Sequence, residues 1–332
     1  MKLASGHSLK RILIAAALGA IVLFAYNALL LANPLNGFDL RGATIPEEEV
    51  FMGGPPKDGI PPIDNPKFVA VNRVTDLSDR DPVIELEING DARAYPLRVM
   101  TWHEIANDTV GGKQVVVTYC PLCNSAIVFD ATINDKVHTF GTTGKLRNSD
   151  LVMYDRTTES WWQQFTGRAI AGAYLGTKLK LVPSRLVAWS EFKGRHPNGK
   201  VLVPNNPSMR QYGRNPYVNY DISARPFLFN GELPKGIPAM ARVVVVRRGN
   251  MPPVIVAMNA VREKGEYKTN GLTLRWKEGQ ASALHAENIS SGREVGTILV
   301  EADGDGDQEN LTFETTFSFV AHAFFPNVKI RD

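Results

Sequence analysis

The residues most suited to chemistry are two cysteines in the run Cys120-Pro121-Leu122-Cys123, the only cysteines of the 332 residues. Thiolates bind zinc or copper ions, and they also exchange with disulfides. A disulfide within this run would close so short a loop that it would stabilise the fold only slightly. Three possibilities follow: a metal knuckle, a redox-active pair and an inert bridge.

The segments that flank the cysteines predict a strand, a tight turn and a second strand. Residues 115–119 and 126–129 are short apolar runs rich in β-branched and aromatic side chains. In thioredoxin-like proteins the first cysteine begins a helix, whose dipole lowers the thiol pKa. Because no helical pattern follows here, the spacing favours a metal knuckle whose two sulfurs converge on one ion.

A zinc site with four protein ligands needs more than these two sulfurs, and the sequence has no second cysteine pair. His103, in the run Trp102-His103-Glu104-Ile105, is the first candidate for a further ligand, and His138 and His322 are weaker ones. Such a set predicts one copper or zinc ion as the cofactor. The alternatives are a hydrogen-bonded structural role for His103 and a surface or cross-strand position for His138.

A second group of polar and aromatic residues predicts a ligand pocket. Its members are Arg147, Asn148, Asp150, Trp162 and Gln163. Neighbouring residues of a strand face opposite sides, so one indole of Trp161 and Trp162 is expected in the core and the other in a cleft or outside. An exposed indole beside amides and an arginine is suited to stacking on a sugar or another planar ligand. A turn over residues 155–160 held by side-chain hydrogen bonds is the alternative.

The elements that must position these residues are mainly strands. Short apolar runs alternate with turn residues, and the sequence contains 28 Gly and 21 Pro. Helices are predicted only at residues 98–107 and 184–196. Residues 83–97 and 243–258 repeat one order of strand, glycine turn and strand, which suggests two related β-rich halves. We therefore predict a mainly β, β-rich α+β body.

The N-terminal region predicts a membrane anchor. Residues 12–32 are apolar apart from Tyr26 and Asn27, and a helix of that length spans a bilayer core of about 30 Å. Basic residues precede this stretch and acidic residues follow it, so the positive-inside rule exports the body. A cleaved signal peptide is the alternative.

The sequence thus predicts four parts: a cytoplasmic N-terminus (1–11), a transmembrane signal anchor (12–32), a Pro/Gly-rich linker (33–66) and an exported β-rich domain (67–332). The predicted location is the inner membrane, with a single pass and the body facing the periplasm or exterior. The lipid bilayer is the predicted partner. A net charge of +3 without a basic stripe argues against nucleic-acid binding.

Six blocks of the sequence resemble the bacterial and archaeal domain-of-unknown-function family 3179. They are residues 102–105, 118–126, 147–151, 159–167, 213–217 and 323–326. The resemblance spans about residue 66 to the C-terminus and implies an exported or membrane-tethered domain with a paired-cysteine centre, but no activity. The family ending has a histidine before its last proline, where this sequence has Phe325. This departure weakens the case for His322 as a ligand.

Three functions remain compatible with the sequence, and it decides neither for nor against an enzyme. The first is binding of copper or zinc by Cys120 and Cys123 with His103. The second is thiol–disulfide exchange by the cysteine pair. The third is a non-enzymatic module that binds an envelope polymer or small ligand around Trp162 and Arg147.

Overall fold

A computed structural model describes residues 43–46, 49–249, 251–303 and 311–332. Strands in several sheets dominate this part of the chain, which confirms the prediction of a mainly β body. The predicted anchor, residues 12–32, lies outside the described residues. Within the described part, no helix is both long enough and apolar enough to cross a membrane.

The first half of the described chain contains sixteen strands. They are β1 (Val50–Met52), β2 (Lys67–Ala70), β3 (Pro82–Ile88), β4 (Asp91–Pro96), β5 (Ile105–Val110), β6 (Lys113–Cys120), β7 (Ser125–Asp130), β8 (Thr132–Ile133), β9 (Lys136–Val137), β10 (Phe140–Arg147), β11 (Asp150–Asp155), β12 (Trp161–Gln163), β13 (Ala169–Ala171), β14 (Leu181–Val182), β15 (Arg185–Ala188) and β16 (Lys200–Val203).

The second half contributes seven further strands, and the described residues also contain four short α-helices. The strands are β17 (Arg242–Arg248), β18 (Val254–Ala257), β19 (Glu266–Thr269), β20 (Leu272–Lys277), β21 (Thr297–Ala302), β22 (Leu311–Phe317) and β23 (Ile330–Arg331). The helices are α1 (Leu97–Met100), α2 (Trp189–Arg195), α3 (Met258–Lys264) and α4 (Ser318–Phe324).

Both predicted helices are shorter than expected. The first ends at Met100, because Glu104 adopts a positive φ of 58° and the next residue begins β5. In the second, residues 185–188 form β15 against β3, and the helix begins only at Trp189. Pairing with a neighbouring strand thus overrides the helical pattern in both segments.

Five larger sheets organise these strands. Their orders are β1-β10-β11-β12-β13, β14-β7-β6-β5, β15-β3-β4-β16-β2, β22-β17-β18-β23 and β19-β20-β21. Neighbouring strands are antiparallel except for the pairs β4–β16 and β18–β23, which are parallel.

The β3–β4 sheet and the β17–β18 sheet share one order and one register. The equivalent pairs are Glu85–Ala94 and Val245–Ile255 in the central hairpins, Glu85–Arg185 and Val245–Glu314 on one side, and Ala94–Val201 and Ile255–Ile330 on the other. The two segments in which the sequence repeats its strand pattern are these central hairpins. The sheets differ in one respect, since β2 lies outside β16 in the β3–β4 sheet.

The main hydrophobic core lies around the central strands β6 and β7 and includes both cysteines. The last six residues of β6 and the first five of β7 are buried without alternation. Because both faces of these strands are covered, the sequence shows continuous apolar runs there instead of a period of two.

Candidate metal centre

The cysteine pair occupies the hairpin turn between β6 and β7. Cys120 is the last residue of β6 and pairs with Ser125, the first residue of β7. Asn124 takes a positive φ of 51°, which asparagine tolerates better than most residues, and its N–H donates to Pro121 O at 3.1 Å. The predicted strand–turn–strand setting of the pair is therefore present.

A second hairpin turn, between β10 and β11, faces the sulfurs. Asn148 and Ser149 both have positive φ, 52° and 66°, as a two-residue type I′ turn requires. The turn directs Ser149 O toward both thiols, at 3.8 Å from Cys120 Sγ and 3.5 Å from Cys123 Sγ. The next residue, Asp150, begins β11 beside the cysteine turn.

These two turns bring together three side chains with potential metal ligands. One ligand atom each from Cys120, Cys123 and Asp150 lies within 4.8 Å of the other two. Cys120 is 2% exposed, and Cys123 and Asp150 are fully buried. Two thiolates and a carboxylate form a donor set that suits a divalent transition metal.

Asp150 is held in place by one of its two carboxylate oxygens. Its Oδ2 accepts hydrogen bonds from Gln163 Nε2 at 2.6 Å and from Phe165 N–H at 2.8 Å. Its buried Oδ1 has no hydrogen-bond partner among the described residues. Burial raises the pKa of Asp150 to about 6, although the bonds from Phe165 and Gln163 favour the ionised form. The carboxylate is thus oriented, with one oxygen available to a ligand.

Glu104 is a second carboxyl group at the centre, and sequence reasoning did not select it. Its N–H donates to Met100 O at 2.7 Å, and its carbonyl oxygen accepts from Tyr119 N–H at 2.8 Å. Burial raises the pKa of Glu104 to about 8, and the charge of Asp150 adds to this effect. The available sequence signal was its place beside His103 in the run 102–105.

The thiols share the electrostatic setting of the two carboxyl groups. Burial is the main cause of the raised pKa of Cys120. It also raises the pKa of Cys123 far above the usual value. Neighbouring thiol and carboxyl groups act in the same direction on Cys123. In the absence of a cation, this cluster therefore favours the protonated forms of its groups.

A short segment of chain covers both turns. The Tyr220 hydroxyl donates to Leu122 O at 3.0 Å, and the Ser149 hydroxyl donates to Phe227 O. On β22, Thr316 Oγ1 donates to Cys123 O at 2.8 Å. These contacts explain how polar groups at two hairpin tips come to be buried.

Both ring nitrogens of His103 form hydrogen bonds within the protein. Its Nδ1 lies 2.7 Å from Pro61 O and its Nε2 lies 2.8 Å from Tyr212 Oη. Because a carbonyl only accepts, Nδ1 carries the proton and Nε2 accepts from the hydroxyl. Burial lowers the pKa of His103, which favours this neutral form. Asp150, instead of the expected His103, is the residue beside the two sulfurs.

The two weaker histidine candidates also lie outside the three-residue group. His138 is 2% exposed, with Nε2 at 3.1 Å from Tyr174 Oη, so of its two expected positions, surface or cross-strand, the surface one is wrong. The side chain fills a buried site beside Asp155. His322 is on α4 and lines a groove near the C-terminus.

The predicted ligand pocket around Trp162 is not formed as expected. Trp161 and Trp162 are both fully buried, because β12 lies between β11 and β13 with both of its faces covered. Trp162 Nε1 donates to Asp155 Oδ2 at 3.0 Å. Arg147 binds Glu49, with 2.7 Å between Nε and Oε2. Of the predicted pocket residues, Asp150 and Gln163 serve the cysteine centre instead.

Comparison with known proteins gives one match. Residues 57–328 match the family model described as "Protein of unknown function (DUF3179)". Neither a curated protein nor a solved structure matches the chain. The match covers most of the chain and includes both turns of the cysteine centre, and the chain therefore belongs to the DUF3179 family.

Proposed function

We propose that this protein binds one transition-metal ion through Cys120, Cys123 and Asp150. The observation that carries the proposal is the convergence of their three ligand atoms within 4.8 Å in a buried site. The ligands come from two separate hairpins, β6–β7 and β10–β11. Side chains that two independent turns direct to one point form a preorganised site.

The charge of the cluster supports a bound cation. Ionised, the two thiols and Asp150 carry three negative charges, and Glu104 would add a fourth. Among the described residues, neither carboxylate forms an ion pair with a lysine or arginine within 4 Å. Because burying unpaired anions is costly, such a cluster is stable either protonated or neutralised by a metal ion.

The donor set favours zinc over copper(I). Copper(I) prefers soft sulfur ligands, whereas zinc accepts thiolate and carboxylate together. Three protein ligands leave a fourth position of a tetrahedral zinc ion for water or another donor, as in catalytic zinc sites. Glu104 is the nearby carboxyl group that could occupy this position or exchange a proton there.

Metal analysis of the purified full chain tests this function. After loading with zinc under reducing conditions and desalting, we expect about one equivalent in the wild type, as a single site implies. Asp150→Asn and the double variant Cys120→Ser/Cys123→Ser should bind substantially less. Asp130→Asn, which alters a carboxylate paired with Lys113, is the matched control. Absence of stoichiometric metal in the wild type would overturn the proposal.

Thiol–disulfide exchange is the second candidate, and the proximity of the two sulfurs favours it. Burial opposes it, because raised thiol pKa values leave little thiolate at neutral pH and a partner must reach enclosed sulfurs. Thiol trapping across a series of glutathione redox buffers tests this candidate. A reversible transition between dithiol and disulfide in folded protein would support it, and thiols unchanged throughout would exclude it.

We also propose that residues 12–32 anchor the chain in the inner membrane with the body outside the cytoplasm. The length and apolarity of this stretch and the basic residues before it support the proposal. Carbonate extraction and protease digestion of intact spheroplasts test it. We expect the protein to resist extraction and its body to be digested, whereas a carbonate-soluble or protected body would contradict the proposal.

A further inference from the structure

The β3–β4 sheet and the β17–β18 sheet differ at one edge. In the β3–β4 sheet, β2 (Lys67–Ala70) pairs antiparallel with the outer side of β16. In the β17–β18 sheet, β23 holds the place equivalent to β16, because each is the parallel neighbour of the central hairpin. Among the described residues, β23 is the last strand of its sheet. The second sheet therefore presents a main-chain edge where the first carries another strand.

The chain enters β16 and β23 in the same way, which supports their equivalence. Each strand follows a seven-residue helix, α2 or α4, and a turn with the dipeptide Pro-Asn. The equivalent turn residues are Pro197-Asn198 and Pro326-Asn327, and a lysine follows each turn as Lys200 or Lys329. The open edge is therefore a specific difference between two otherwise matching units.

Ile330 of β23 and the two residues before it line a groove. Its volume is about 1370 Å³, and Val328, Lys329 and Ile330 form part of its lining. Helix α3 and Trp276 contribute further lining residues. A groove of this volume exceeds a typical small-molecule pocket and can hold several residues of a peptide.

The strand and the groove carry cations that no described carboxylate neutralises. Lys235, Arg262, Lys264, Lys329 and Arg331 form no ion pair within 4 Å with the acidic groups that the structure describes. Arg262 lies over the Trp276 ring, with 5.3 Å between its guanidinium carbon and the ring centroid.

The groove has fewer acidic than basic side chains, and two of the acidic ones already have partners. Of the four that line it, Glu294 pairs with Arg80 and Glu263 accepts a hydrogen bond from Asn259. The other two are Glu232 and Asp332. The balance of available charge favours a ligand with negative charge.

We propose that β23 and this groove bind an extended acidic segment of a partner protein. The segment adds to the β17–β18 sheet as an antiparallel strand, in the place that β2 occupies beside β16. Main-chain hydrogen bonds to the edge supply affinity, as in other cases of strand addition. Acidic side chains opposite Lys329 and Arg331 supply the preference, because oppositely charged cross-strand pairs are favourable.

Three fluorescent peptides of about ten residues, the upper length of an ordinary strand, are the probes. They alternate valine with glutamate, glutamine or lysine, and fluorescence anisotropy measures their binding to the full chain in detergent micelles. We expect the glutamate peptide to bind more tightly than the glutamine peptide and the lysine peptide to bind least. The double variant Lys329→Glu/Arg331→Glu should weaken the glutamate peptide about tenfold, as the loss of two partly exposed ion pairs implies.

Lys200→Glu is the matched control, because Lys200 is equivalent to Lys329 but its strand already pairs with β2. This variant should bind the glutamate peptide as the wild type does. Amide hydrogen exchange locates the contact: bound peptide should slow exchange at residues 328–332 and leave residues 200–203 unchanged. Equal binding of the three peptides, unchanged binding by the double variant, or protection elsewhere would each overturn the proposal. The metal content is independent of all three results.

Discussion

Replacement of Asp150 by asparagine should leave the metal-free protein at least as stable as the wild type, but make it less stable than the wild type once zinc is added. Without metal, the ionised carboxylate destabilises the folded protein, because burial raises its pKa from 3.8 to about 6. A folded pKa above the unfolded one destabilises an acid once the pH exceeds the unfolded value, and a shift of this size corresponds to about 3 kcal/mol. Asparagine removes this term, but it places an amide NH2 group where the unpartnered Oδ1 was, and a buried donor without an acceptor costs about 1 to 3 kcal/mol. The metal-free variant should therefore match or slightly exceed the wild type at neutral pH.

Zinc should stabilise only the wild type substantially. A ligand at a hundred times its Kd adds about 2.7 kcal/mol, which raises the Tm of a domain of this size by about 5 °C. Loss of a charged ligand should weaken zinc binding at least as much as loss of an outer-shell partner, about 10- to 100-fold. The variant's Tm should therefore rise much less at the same zinc concentration.

Thermal unfolding of the full chain in detergent, followed by circular dichroism, compares the Tm of variant and wild type with excess chelator and with zinc. Asp130→Asn is the control and should respond to zinc as the wild type does. An equal rise in Tm for Asp150→Asn and the wild type would refute the assignment of Asp150 as a ligand. A metal-free variant several kcal/mol less stable than the wild type would refute the argument about its buried charge.

Zinc affinity should increase with pH through the neutral range, because burial raises the pKa of both thiols and each must lose its proton to bind zinc. Competition with a chromophoric chelator at several pH values measures this affinity, and an affinity independent of pH would contradict thiolate ligation. Replacing His103 by glutamine should disturb the hydrogen bonds to Pro61 and Tyr212 but leave the zinc content unchanged. Loss of zinc from the folded variant, measured by metal analysis, would show that His103 is a ligand. Trp162→Phe should lower the free energy of unfolding by about 1 to 3 kcal/mol, because a buried acceptor on Asp155 loses one donor, and it should not alter the zinc content. Urea unfolding and metal analysis measure the two quantities. A loss of stability below about 0.5 kcal/mol would show that this hydrogen bond is unimportant.

Local pattern was sufficient to predict the hairpin that carries the cysteines. The apolar runs on either side of the pair have the length and composition of strands, and a turn of four residues with proline and asparagine joins them. The same reasoning located the central hairpins of both equivalent sheets. These features depend on contacts between residues close in sequence, so they can be inferred without the fold.

Local pattern failed where a distant strand competes with it. Residues 185–188 belong to the segment that was predicted as a helix, yet they pair with β3, about a hundred residues earlier in the chain. Trp162 was expected in a ligand cleft or outside because strands usually expose one face. Its own strand lies within a sheet that is covered on both sides, which only the packing of the whole body decides.

The sequence alone determined that Cys120 and Cys123 share one turn, since their spacing and flanking strands enforce it. It could not determine their third neighbour. The sequence suggested His103 as that neighbour and assigned Asp150 to a separate ligand pocket. In the structure, the pairing of β10 with β11 places Asp150 beside the sulfurs, while Pro61 and Tyr212 bind both ring nitrogens of His103. A ligand within a turn follows from backbone geometry over a few residues, whereas a ligand from another hairpin depends on how separate sheets pack. That packing arises from burial summed over the entire core, and only the tertiary structure records it.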